Sequence, residues 1–196
     1  MIQKYFVYIK KILEKINRKP IGELINELQL LQKRKGRLFI LGVGGSAANA
    51  SHAASDFRKL TEIEAYAPTD NIAELSARTN DEGWESVFIN WLKISRLNKN
   101  DMLLIFSVGG GSEEKNVSVN LIEAIRYAKK IKAKIAGIVS RDGGYTKKNA
   151  DICVLVPVVN KYLITPFAES FQAIIWHLLV FHPYLNINEG KWESIK

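Results

Sequence analysis

The sequence predicts an α/β protein in which a parallel β-sheet is covered by helices on both faces. Three observations predict it. Four short, nearly uniform apolar runs, at residues 37–41, 102–106, 135–139 and 152–156, read as strands buried on both sides. Helical stretches fall between them, most clearly at 47–60 and 117–131, giving the alternation of strand and crossover helix. The chain has 196 residues, 47% of them hydrophobic and 24% charged, which suits one globular domain with a full core.

Taken in order, Ile2, Phe6, Ile9, Leu13 and Ile16 recur at helical spacing with lysines between them. Pro20 suits the first turn of a second helix, whose stripe is Ile21, Leu24, Ile25, Leu28 and Leu31. That helix ends at Lys33, Arg34, Lys35 and Gly36, a composition that favours a helix C-terminus and is also one a nucleic acid could use. Two apolar stripes ahead of the main domain need a surface to cover them, either the domain's own or a second subunit's. The expected division is a helical segment over 1–35, the main domain over 36–185 and a tail over 186–196. A weaker strand is expected at 65–67. The last helix is expected to begin with Thr165 as cap and Pro166 as first residue, with Ala168, Phe171, Ile174, Ile175 and Leu178 supplying its apolar face.

Composition excludes several classes. No apolar stretch approaches the ~18–20 residues that span a bilayer, and the longest, at 173–181, is interrupted by His177. The first six residues lack the charged-then-apolar order of a signal peptide, so a cytoplasmic protein without a membrane partner is expected. The lone Cys153 cannot form an internal disulfide, fits a reducing compartment and reads as a small buried hydrophobe. The net charge of +8 reflects either a lysine-rich solvated surface or attraction to an anionic ligand. No helix-turn-helix or aromatic-basic RNA motif supports a nucleic-acid partner.

In open parallel sheets, ligands bind at the carboxyl ends of the strands. The first strand is followed there by Gly42, Val43, Gly44, Gly45 and Ser46 and then a helix, where free N–H groups face an anion. This is neither a P-loop nor a dinucleotide fingerprint in register. The third expected strand, counting the weak one, is followed by Ser107, Val108, Gly109, Gly110, Gly111 and Ser112, a credible phosphate cradle. Glu113 and Glu114 then stand at the expected start of the next helix, where they compete for its dipole. His52 and Asp56 lie one turn apart on the helix after the first loop, and Glu169 and His177 two turns apart on the last helix. Such a pair on each helix makes a four-ligand divalent-metal site or an acid/base pair if the two helices meet; each histidine alone also reads as a satisfied core residue. His182, before Pro183, reads as a surface residue.

The run from Gly42 to Asp56 resembles the phosphoheptose isomerases, in which Gly-Asn-Gly-Gly-Ser leads to a helix bearing His and Glu. Thr69-Asp70, Asn80-Asp81-Glu82-Gly83, the 107–112 loop, Arg141-Asp142-Gly143-Gly144 and His177 resemble further segments of that family, in the same order. The resemblance implies an SIS (sugar isomerase) domain: a flavodoxin-like three-layer sandwich with a five-stranded parallel sheet, plus N-terminal helices packed between the subunits of a homotetramer. It implies interconversion of sedoheptulose 7-phosphate and D-glycero-D-manno-heptose 7-phosphate, commonly with zinc, in the supply of surface heptose. By position, Asp56 and His177 take the catalytic places. His52, Asp56, Glu169 and His177 take the metal-ligand places. Gly44, Gly45, Ser46, Asp70, Asn80, Asp81, Ser107 and Ser112 take substrate- and phosphate-binding places. The sequence departs from the pattern in having Val43 for Asn, Asp56 for Glu, Glu169 for Gln, Val108 and Gly109 for hydroxyl residues, and Pro166 near a usual Asp. Non-catalytic relatives of the SIS type, such as replication-initiation regulators that bind a protein partner, are the alternative. Such a scaffold has no need of both His52 and His177.

Overall fold

In the computed structural model, which describes residues 1–195, the chain opens with α1 (Ile2–Lys15) and α2 (Lys19–Lys33). It continues through β1 (Leu38–Leu41), α3 (Gly45–Thr61), β2 (Ala65–Tyr66), α4 (Ile72–Glu82), α5 (Ser86–Ile94) and β3 (Met102–Ser107). The rest comprises α6 (Val119–Lys130), β4 (Lys134–Ser140), α7 (Gly144–Asn149), β5 (Ile152–Val156), α8 (Ile164–Val180) and α9 (Lys191–Ser194). The strands form one parallel sheet in the order β2-β1-β3-β4-β5. Leu38 lies beside Met102, Met102 beside Lys134 and Gly137 beside Cys153.

The pleat sends alternate residues to opposite faces. Leu38, Ile40, Met102, Leu104 and Phe106 pack with α2, α3 and α8, whereas Phe39, Leu41, Leu103 and Ile105 pack with α5 and α6. Every residue of β1 and β3 is therefore buried, which is why these runs are apolar without alternation. The result is a three-layer sandwich. From β1 the chain moves outward to β2, and from β3 it moves the other way to β4, so a crevice opens at the carboxyl ends of β1 and β3.

The helices α4, α5 and α7 were not legible. α4 buries no residue fully and α7 has six residues, so neither is marked by a buried apolar stripe. α8 begins at Ile164, with Leu163 at the cap position and no side-chain cap bond. The expected Thr165 cap is thus already inside the helix, and Pro166 is tolerated because first-turn N–H groups have no intrahelical acceptor.

α2 buries Leu24, Ile25, Leu28 and Leu31 in the same core as α3 and α8. α1 buries Ile12 and leans Tyr5 on Phe167, with ring centroids 4.7 Å apart. The inward stripe of α1 is therefore Tyr5, Tyr8, Ile9, Ile12 and Ile16. Of the five residues expected to form it, Ile2, Phe6 and Leu13 instead lie exposed, together with Met1 and Val7. At the end of α2, Arg34 donates to the Asn100 carbonyl and pairs with Glu27, and Lys35 takes the left-handed conformation (φ 53°). Gly36 is required for close approach, since a Cβ there would lie 2.1 Å from the Asn100 carbonyl oxygen. The basic cluster thus finishes the helix. No helix among the described residues is long and apolar enough to cross a membrane.

Cys153 is half-buried on edge strand β5, and burial pushes its thiol up to about 11. At pH 8 the reactive thiolate is scarce, so iodoacetamide is expected to label the native protein far more slowly than the urea-unfolded chain, as read by intact mass. The folded state favours the protonated thiol. Its contribution to stability is therefore complete below the ordinary thiol value of 9.0 and fades as pH rises toward about 11.

Candidate active site

Both glycine loops lie at the crevice. In the first, Gly44 adopts φ 63° as the cap of α3 and its carbonyl accepts from the Ala47 N–H (2.9 Å), which leaves the N–H groups of Gly45 and Ser46 without a helical acceptor. A Cβ on Gly42 would sit 2.3 Å from the Ser46 carbonyl oxygen, so the loop folds tightly under the helix start. Ser46 is 1% exposed and its hydroxyl has no partner. Val43 packs on the core of the α5–α6 face.

In the second loop, the Ser107 hydroxyl accepts from the Gly110 N–H (3.0 Å) and the Ser112 hydroxyl from the Lys115 N–H (3.3 Å). Each keeps its own O–H to donate. The Gly109 and Gly111 N–H groups have no partner among the described residues. The helix does not start at Glu113. Ser112 and Val117 exchange two backbone bonds of 2.9 Å, Ser118 takes φ 53°, and α6 begins only at Val119. Glu113 and Glu114 thus sit in a closed turn, with Glu113 paired to Arg126, and not on a helix dipole.

The turn at 141–144 holds this loop from behind. Tyr145 donates its N–H to the Gly111 carbonyl (2.9 Å). Both the N–H and the hydroxyl of Thr146 donate to the Gly110 carbonyl, each at 2.8 Å. A Cβ on Gly110 would fall 2.0 Å from the Gly143 carbonyl oxygen, and one on Gly144 would fall 2.3 and 2.4 Å from those of Gly109 and Gly111. A cleft of about 470 Å³ beside the two segments is lined by Ser112, Lys115, Arg141, Tyr145 and Lys148.

Packing of α3 on α8 brings three groups together. His52, Asp56 and His177 offer ligand atoms that all lie within 4.8 Å of one another. His52 Nε2 is 3.7 Å from Asp56 Oδ2. His177 Nδ1 is 2.8 Å from the Ala173 carbonyl, which can only accept, so Nδ1 carries the proton and Nε2 keeps a free lone pair. The His52 ring meets Trp176 edge-on at 4.7 Å, against a wall that is fully buried. Two imidazoles and a carboxylate, with room for a further ligand, suit a borderline divalent ion such as zinc.

Glu169 is not a fourth member. Its carboxylate lies against Gly45, where a Cβ would meet Oε2 at 2.4 Å, because Glu169 stands two turns before His177 and so reaches the start of α3 and not its middle. Asp70 closes a short turn (Pro68–Asp70) and accepts from the Ser51 hydroxyl, at a groove shared with Arg58, Tyr66 and Trp91. Asn80 and Asp81 lie on the exposed helix α4, bonded to each other at 2.7 Å; within the chain they do not join the cluster, since α4 packs on α5 and the 68–70 turn. His182 follows α8 and touches only Tyr184 among the aromatic rings. The sequence reading missed Asn49 and Gln172: Asn49 Nδ2 donates to the Glu169 carbonyl (2.9 Å) and to Gln172 Oε1 (3.0 Å), tying α3 to α8. Only their amide character on otherwise apolar faces could have marked them.

Solved structures with this fold include phosphoheptose isomerases from Neisseria gonorrhoeae (TM-score 0.79, 24% identity, 91% of this chain and 95% of that one) and Francisella tularensis (0.76, 21%, 91% and 95%). The SIS domain family model matches residues 4–140. Phosphoheptose isomerases from Helicobacter pylori and a Nitratiruptor species are 29% and 30% identical, covering 91% and 75% of this chain and 92% and 75% of their own. The lincomycin biosynthesis protein LmbN of Streptomyces lincolnensis is 35% identical over 74% of this chain, which spans about half, 54%, of that relative. The chain belongs to the SIS domain family, among its phosphoheptose isomerases.

Proposed function

We propose that this protein is an aldose–ketose isomerase that interconverts sedoheptulose 7-phosphate and D-glycero-D-manno-heptose 7-phosphate. The observation that carries the reading is the meeting of His52, Asp56 and His177 beside two glycine- and hydroxyl-lined loops at one crevice. The relatives matched along nine-tenths of the chain are named for that reaction. The phosphate rests on the N–H groups of Gly109 and Gly111 and the hydroxyls of Ser107 and Ser112, donors suited to its oxygens. Gly44, Gly45 and Ser46 line the sugar, and Asp70 borders the neighbouring groove.

Asp56 and His177 are the proton-transfer groups. One takes the proton from the carbon beside the open-chain carbonyl, a cis-enediol forms, and the proton returns to the adjacent carbon. Each must reach its proton at hydrogen-bond distance. His177, fixed by Ala173, presents Nε2, whose one lone pair takes part in proton transfer at the sugar when it is not given to an ion, the transfer otherwise falling to Asp56. His52, Asp56 and His177 would hold a divalent ion, zinc fitting their donor set. When bound, it supplies Lewis-acid polarisation of the carbonyl and offsets the enediolate charge. The segment 1–35 serves oligomerisation: the outer stripe of α1 (Met1, Ile2, Phe6, Val7 and Leu13) is an exposed apolar face for a second copy in a homotetramer to cover. The product serves surface-polysaccharide heptose supply.

The test is turnover. Purified protein mixed with sedoheptulose 7-phosphate is expected to yield the aldose, faster with zinc than after chelation. No conversion of this or related sugar phosphates in either condition rejects the enzyme and favours a binding scaffold.

A further inference from the structure

The 107–112 loop offers an anion only neutral donors, namely the N–H groups of Gly109 and Gly111 and the hydroxyls of Ser107 and Ser112. A phosphate monoester carries a charge of about −1.5 to −2 at pH 7. Neutral donors satisfy its oxygens and leave that charge unbalanced. The cleft beside the loop holds three cations: Lys115, Arg141 and Lys148. Arg141 differs from the two lysines in its backbone and in where its side chain rests.

Arg141 takes φ 57°. Of the seven non-glycine residues in the left-handed region, Lys35, Glu62, Arg96 and Lys132 end helices, and Asn116 and Ser118 belong to the turn before α6. Arg141 alone follows a strand, as the first corner of a turn closed by the Gly143 N–H on the Ser140 carbonyl (3.0 Å). A residue with a Cβ is uncommon there, and such outliers gather at ligand clamps.

The side chain is laid along the loop. Arg141 Cδ is 3.7 Å from where a Cβ on Gly109 would be, the one heavy atom within 4 Å of that point, and the guanidinium starts one bond further on. Arg141 lines the same cleft as Gly109, Gly111 and Ser112. Its head is exposed and makes no hydrogen bond or ion pair among the described residues. Arg34, Arg37, Arg78 and Arg126, by contrast, are each paired with a carboxylate. Carboxylates are near at hand, since Glu113, Glu114 and Asp142 line the cleft, but Glu113 pairs with Arg126 and Asp142 accepts the Gly144 N–H (3.2 Å).

We propose that Arg141 is the charge-bearing ligand of the substrate's phosphate, a specificity-determining residue that makes the site select a phosphorylated sugar. Its planar fork of N–H donors suits two phosphate oxygens at once, while the loop supplies neutral donors to the others. The bare Cα of Gly109 admits the arginine stem. The inference rests on the sugar-phosphate reading above.

Arg141→Gln tests it, and an exposed side chain without partners leaves no structural debt when it is replaced. Inorganic phosphate is titrated calorimetrically into the wild type and R141Q, and turnover of sedoheptulose 7-phosphate is measured for both. R141Q is expected to bind phosphate about 10–100-fold more weakly and to raise KM by the same factor, with kcat within about threefold. Arg141→Lys should recover part of the loss, having the charge without the fork. Lys147→Gln removes one charge from α7 outside the cleft and should leave both values within about twofold. Phosphate binding by R141Q equal to wild type overturns the proposal, as does an equal loss in K147Q, which would reduce the effect to net charge. A changed oligomeric state of R141Q with unchanged phosphate binding places the arginine in a subunit contact instead. A wild type that binds no phosphate also overturns it, and its turnover of the sugar then shows whether the isomerase reading survives.

Discussion

His177→Ala is expected to lower kcat by about 10³-fold while leaving the fold intact. Positioned general acid–base groups contribute roughly 10²–10⁴-fold, and His177 is placed for the role on two counts. Its Nδ1 proton is committed to the Ala173 carbonyl, so the ring cannot turn its other nitrogen away without losing a 2.8 Å bond. Its Nε2 then faces the cluster with His52 and Asp56. The side chain is only partly buried, so truncation leaves no large cavity, and far-ultraviolet circular dichroism should be unchanged. The loss should lie in kcat, because the proposed phosphate site is the 107–112 loop, away from His177. His182→Ala is the matched control: that ring lies past the end of α8 and outside the cluster, so its rate should stay within about twofold of wild type. Asp56→Asn should match the His177→Ala loss if both groups move protons. A kcat for His177→Ala within tenfold of wild type would remove His177 from the chemistry.

The chain showed its sheet plainly and its site unevenly, for reasons that can be traced to particular residues. β1 and β3 read correctly because burial on both faces makes them apolar throughout, save Ser107 at the end of β3. The meeting of His52, Asp56 and His177 depends on where α8 lands on α3, a tertiary fact; the sequence supplied only the helical spacing within each pair. Spacing misleads at Glu169, since eight residues along α8 separate it from His177 by two turns, enough to move it from the middle of α3 to its beginning. Asn80 and Asp81 matched a motif, yet they stand on the exposed side of α4, bonded to each other. The delayed start of α6 was hidden because a turn closed by Ser112 and Val117 leaves no periodic trace.

Gly144→Ala is expected to raise KM for the sugar phosphate about 10–100-fold, although residue 144 need not touch the ligand. The new Cβ would stand 2.3 and 2.4 Å from two carbonyl oxygens of the 107–112 loop, where an ordinary C···O contact is about 3.3 Å or more. Neither obstacle is a flexible side-chain tip. Both are backbone of the segment whose free N–H groups are proposed to hold the phosphate, so relief of the clash moves that backbone by roughly 1 Å. A displacement of that size between well-placed groups and their target costs on the order of 10²-fold. The loop cannot drift as a whole, because the N–H and hydroxyl of Thr146 and the N–H of Tyr145 pin its carbonyls from the same side. Alanine must also take φ 51°, which costs about 1–2 kcal/mol, and crowding adds about 1–3 kcal/mol, so Tm should fall by roughly 5–15 °C. Assayed well below that Tm, the variant should bind added zinc as the wild type does, since the candidate ligands His52, Asp56 and His177 lie on α3 and α8, away from the turn. Gly22→Ala provides the contrast: it lies inside α2 with nothing within 4 Å of a new Cβ, and should stabilise by about 0.5–1 kcal/mol with KM unchanged. A folded Gly144→Ala protein with wild-type KM would show that the 141–144 turn only packs, and that the phosphate is held without the 107–112 backbone.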